Sequence, residues 1–74
     1  MKTWADQYLG AYYAARMLGA ETVQKKIDEN REYILQQPGG QGGLEACLTG
    51  LNACKIGMSE TDVLAWADAI RSKI

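Results

Sequence analysis

Apolar residues recur along this chain at intervals of three and four in separate stretches, and nowhere in the convincing alternation of two that marks a strand. The first stretch, residues 3–18, opens with Thr3-Trp4-Ala5-Asp6, a hydroxyl followed three places later by a carboxylate, as in a capping box. It places Trp4, Tyr8, Ala11, Tyr12, Ala15 and Leu18 on one face, with Leu9, Tyr13 and Met17 on a flank. Gly19 then suits a left-handed stop. The second stretch, residues 21–36, carries a narrow stripe of Val23, Ile27 and Ile34 with Asn30 in the gap. Its other face is charged, with Glu21/Lys25 and Lys26/Glu29 at pairing distance, and Pro38 ends it. Leu44, Cys47, Leu48, Leu51 and Cys54 make the stripe of a third helix ending near Ile56 and Gly57. A second hydroxyl-to-carboxylate cap, Ser59 to Asp62, starts a fourth, with Val63, Trp66, Ala67, Ile70 and Ile74 facing inward and Arg71 and Lys73 favouring its C-terminal dipole.

Between the second and third helices lies Pro38-Gly39-Gly40-Gln41-Gly42-Gly43, four glycines in five residues, which reads as a loop. The predicted architecture is therefore all-α: a compact four-helix domain of two αα-hairpins, residues 1–37 and 44–74, joined by a Gly-rich loop at 38–43. The loop lacks the preceding strand and the Gly-Lys-Ser/Thr ending of a phosphate-binding loop, so a connector is the expectation. Residues 15–22 and 53–61 share an Ala-x-x-aliphatic-Gly pattern, which fits the same helix–Gly–cap–helix grammar used twice, the alternative being a duplicated hairpin.

The segment from Leu51 to Trp66 resembles the helix-turn-helix of phage-repressor-like regulators, through Ala53, Ile56, Gly57, Met58, Ser59, Val63 and Trp66. The resemblance implies that Ala53 permits a close crossing, Gly57 takes positive φ and Ser59 caps the second helix. Ile56, Met58, Val63 and Trp66 would lock the pair, with Trp66 buried between the third and fourth helices. Every matched residue is structural. The first turn of the would-be recognition helix holds Glu60, Thr61 and Asp62, and its next outward positions are Leu64, Ala65 and Asp68. Carboxylates there oppose phosphates and lack the donors of base readout.

Charge points the same way. Eight Lys/Arg against nine Asp/Glu leave 74 residues at net −1, with nothing to neutralise a nucleic-acid backbone. The chain has no His, and no Ser or Cys has a visible base partner, so no catalytic residue, metal ligand set or cofactor site is assigned. Cys47 and Cys54 lie two helical turns apart, about 10 Å, too far for a disulfide. Asp6 and Gln7 interrupt any signal-peptide core, and the apolar stretch 8–20 contains Arg16 and is shorter than the roughly 20 residues of a membrane helix. A cytoplasmic location is expected.

What remains is a surface for a partner. Two Trp and four Tyr without Phe favour rings that are apolar in body and polar at the tip, the kind enriched at interfaces. The candidate protein-binding residues are Tyr12, Tyr13 and Arg16 on the first helix, and Glu60, Leu64 and Asp68 on the last. The expected function is a small non-enzymatic binding factor, an adapter or inhibitor of a protein partner or a homodimer, of the kind common among phage and mobile-element accessory proteins. The alternative is a helix-turn-helix regulator with a degenerate recognition helix.

Overall fold

The computed structural model describes residues 4–73 and contains, among them, five α-helices and no strand. They are α1 (Trp4–Leu18), α2 (Ala20–Glu29), α3 (Arg31–Gln36), α4 (Gly40–Lys55) and α5 (Glu60–Lys73). The expected Thr3 cap and the inward placement of Ile74 lie outside the described residues. On α1 the predicted stripe is largely realised, with Tyr8, Ala11, Tyr12 and Ala15 buried and Trp4 half-buried, while Leu18 at its end is exposed.

The expected second helix divides in two. Asn30 turns its amide back onto the Lys26 carbonyl (2.8 Å), and its own N–H is shared between the Lys26 and Ile27 carbonyls (3.1 and 3.2 Å). The backbone there reaches φ −106°, ψ 8°, which re-aims the following turn. Val23 and Ile27 are thereby buried against α1 and α4, and Ile34, on α3, packs into the same cluster. In place of the anticipated Glu21/Lys25 and Lys26/Glu29 pairs, Gln24 and Arg31 both donate to Asp28 (3.2 Å each).

The predicted Gly-rich loop is mostly helix. Only residues 37–39 link α3 to α4, with Gly39 at φ 71°, a conformation that suits glycine. Gly40 begins α4 directly against the Ile34 carbonyl, where a side chain would collide. The glycines that follow serve approach rather than flexibility. A methyl group at Gly50 would strike the Tyr8 carbonyl oxygen and sit 3.1 Å from both the Ala11 Cβ and the Tyr12 nitrogen. One at Gly43 would run into the Gln7 side chain. With buried Ala46 and Ala53, these positions form a small-residue stripe along which α4 lies on α1. Leu44 and Leu51 point instead to α2 and α3 and form the second core cluster with Ala15, Val23 and Ile27.

Gly57, at φ 76°, ends α4 in a Schellman arrangement: the Met58 N–H donates to the Ala53 carbonyl (3.0 Å) and the Gly57 N–H to that of Cys54 (3.1 Å). The Ser59 hydroxyl accepts from the Asp62 N–H (3.2 Å) and caps α5 as expected. The packing that follows departs from a helix-turn-helix. α5 leans on α1 rather than on α4, with Val63 and Ala67 buried beside Ala5, Tyr8 and Tyr12. Two expected locking residues are exposed, Ile56 at 65% and Trp66 at 49%. The two halves are therefore not separate hairpins, because α1 is the shared partner of α2, α4 and α5.

Glycine substitutions separate close approach from helix propensity. Gly10, mid-helix and exposed with nothing near its missing side chain, should gain about 0.5–1 kcal/mol on replacement by Ala. Gly50→Ala should instead lose about 1–3 kcal/mol, because overpacking outweighs the gain in propensity. Urea unfolding of both variants reads the opposite signs.

Candidate functional site

Four of the sequence-predicted residues, Tyr12, Tyr13, Arg16 and Glu60, converge at the end of α1, but as an internal seam rather than an outward patch. Tyr12, read both as part of the apolar stripe and as a candidate binding residue, is 2% exposed and unavailable to a partner, and its hydroxyl donates to the Met58 carbonyl at 2.8 Å. The reason is its register: it shares the inward stripe with Tyr8 and reaches the turn before α5, where a phenol satisfies an otherwise unpaired carbonyl. Tyr13 is half-buried and meets the Tyr12 ring edge-on at 5.4 Å. Arg16 lies over the Tyr12 ring (5.7 Å) and pairs with Glu60 across the α1–α5 boundary (3.3 Å).

Arg16 and Glu60, expected on two separate surfaces, thus close on each other. At the opposite end of the same boundary Arg71 holds Asp6 at 2.7 Å and Asp68 at 3.7 Å. Two exposed ion pairs therefore bracket α5, which runs antiparallel to α1; each contributes at most about 1 kcal/mol. Leu64 is 40% exposed on the outer flank of α5 and Asp68 is exposed beside Arg71.

Burial raises the Tyr8 hydroxyl above its ordinary pKa of 10.0, with Tyr12 adding to the effect. Tyr13 is raised too, first by desolvation and then by the neighbouring Glu60 carboxylate, against the opposing influence of Arg16.

Two openings flank this core. One of about 510 Å³ is walled by Tyr12, Arg16, Cys54, Met58, Ser59 and Glu60. Its one carboxylate, Glu60, is engaged by Arg16, and Cys54 is a half-buried free thiol. The other, about 140 Å³, opens between the C-terminal half of α4 and the face of α5 that carries Trp66. Trp4, Tyr8 and Trp66 gather beside it, with ring centroids 5.6–6.2 Å apart. Sequence periodicity missed this second opening. Thr49, Asn52 and Ile56 fall at three- and four-residue spacing on a third face of α4, a weak signal because only Ile56 is apolar.

Among the described residues no group of three or more His, Cys, Asp or Glu is placed to hold a metal ion, and no helix is long and apolar enough to cross a membrane. The chain matches no protein-family model, no curated protein and no solved structure.

Tyr12→Phe should cost about 0.5–1.5 kcal/mol by removing the bond to Met58, measured by denaturant unfolding. The raised folded pKa values of Tyr8 and Tyr13 make their contribution to stability complete below pH 10 and lost as pH rises through the folded values. Absorbance at tyrosinate wavelengths should accordingly show part of the signal delayed beyond pH 10, and Tyr13→Phe should shorten the delayed portion.

Proposed function

We propose that this chain is a non-enzymatic protein-binding module, an adapter or inhibitor working in the cytosol. The observation that carries this reading is the exposure of Ile56 and Trp66 beside half-buried Trp4, around an open groove. Fully burying an Ile stabilises a domain by about 1.5–3 kcal/mol, which a small core can ill forgo unless the surface has another use. Trp is also among the residues most enriched where one protein grips another.

The tight Gly57–Ser59 turn favours one other reading, a helix-turn-helix regulator. Against it, the outward start of α5 presents Glu60 and Asp62, its outer flank presents Leu64 and Asp68, and the helix lies against α1. Base readout and phosphate contact both require the opposite equipment.

At about 0.15 M salt the chain should bind duplex DNA no tighter than the non-specific range of roughly 10⁻⁴ M. Nanomolar binding with a steep salt slope would establish the regulator reading instead. Immobilised wild-type chain should retain a protein from its native cytosol that Ile56→Ser, with unchanged helicity by circular dichroism, retains poorly. Retention of nothing by wild type, or equal retention by both, counts against the module.

A further inference from the structure

We propose that the groove between α4 and α5 receives an amphipathic helix of about three turns whose apolar face is flanked at both ends by Lys or Arg. The assignment rests on the protein-binding reading and names its surface and the partner's chemistry. α4 and α5 each pack on α1 while standing apart from one another, which leaves a trough with Tyr8 and Met58 at its base, Thr49, Asn52 and Ile56 on one wall and Trp66 on the other. Two helices resting on a third present the gap that a further helix fills in a bundle, and an apolar helix face laid into such a gap is a recurring mode of recognition.

Helix spacing places one acidic residue toward each end of the trough. Glu45 stands one turn before Thr49 on the same face of α4, and Asp62 one turn before Trp66 on α5; both are exposed. α4 runs in the same sense as α1: Gly42 lies near Trp4 and Gly50 near Tyr8 and Tyr12. α5 runs against it, as the Arg16–Glu60 and Arg71–Asp6 pairs require. Glu45 is therefore at the Trp4 end of the trough and Asp62 at the Met58 end. From Glu45 to Ile56 is about 16 Å of helix, or three turns. The side chain of Glu45 meets that of Gln41 (3.5 Å), and neither carboxylate has a cation within ion-pair distance among the described residues, whereas Asp6, Asp28 and Glu60 are each held by an arginine. An acidic-ended apolar trough complements a basic-ended apolar helix. It disfavours a second copy, since a two-fold pairing across this groove would set the carboxylates of one copy against those of the other.

The probes are two 15-residue helical peptides with one leucine face, one flanked by lysines and the other by glutamates, titrated into ¹⁵N-labelled chain. The lysine peptide should shift the Trp66 indole N–H and the Thr49, Asn52 and Ile56 amides, and bind at least about tenfold tighter than the glutamate peptide. Ile56→Ser should weaken it about tenfold or more, Leu64→Ser should leave it unchanged, and Glu45→Lys with Asp62→Lys should reverse the preference. Equal affinity for both peptides, or none for the lysine peptide, overturns the proposal. Shifts centred on Tyr13, Arg16 and Leu64 overturn the groove while leaving a protein-binding role standing. Concentration-dependent self-association by light scattering that Ile56→Ser abolishes would make the occupant a second copy and overturn it equally.

Discussion

The near-contact between the backbone of α1 at Tyr8 and that of α4 at Gly50 is the constraint from which the other packing follows. Helix axes normally lie 8–10 Å apart because side chains hold them there. Where Gly43, Ala46, Gly50 and Ala53 replace larger residues, the gap closes and the exposed edge of each backbone becomes packing surface. The arrangement gives up the large hydrophobic area of a leucine seam and gains dense contact in return, at a cost in helix propensity of about 1 kcal/mol for each glycine. It also frees the Leu44 and Leu51 face of α4 for α2 and α3, so one helix serves two clusters.

With α4 drawn onto one side of α1, α5 occupies another. Its inward residues are modest, Val63 and Ala67, and they suit the neighbouring Ala5. Tyr12 ties this side to the turn that precedes α5 by reaching the Met58 carbonyl. The result is a thin body, 31 × 29 × 15 Å, whose widest helices are each covered on part of their circumference. Trp66 meets Trp4 and Tyr8 with its ring tilted against theirs, yet remains open to solvent because α4 never comes across to cover it.

Helix class and most of the core were legible in the sequence, because three- and four-residue spacing of Tyr8, Ala11, Tyr12, Ala15, Val23, Ile27, Leu44, Leu51 and Val63 follows directly from the helix repeat. The caps at Gly57 and Ser59 were legible for the same local reason. Composition reports flexibility and not proximity, so it does not show that the glycines after Gly39 are helical, or that close approach to Ile34 and Gln7 requires Gly40 and Gly43 to lack side chains. Asn30 filled a gap in an apolar stripe without announcing that its amide would bend the chain. For the candidate site, residue type was readable but partnership was not. Arg16 and Glu60 stand 44 positions apart, and no local pattern brings them together. Helical register settles that Tyr12 rather than Tyr13 turns inward, but the Met58 carbonyl its hydroxyl reaches lies 46 positions away and no local pattern announces it.

The Tyr8–Gly50 approach also bears on the order in which this chain acquires its structure. Helical proteins usually draw on contacts between neighbours in sequence, and reach them quickly. Here the densest seam joins segments separated by about forty residues, a closure whose length-dependent entropy alone is roughly 3 kcal/mol. α1 and α2 are neighbours in sequence and in the fold, but α2 covers only one side of α1. During synthesis the aromatic stripe of α1 therefore emerges well before the glycine face that will cover it. Until α4 has left the ribosome, Tyr8 and Tyr12 remain open to any passing apolar surface, so the interval before α4 arrives is when the nascent chain is most exposed to misassociation.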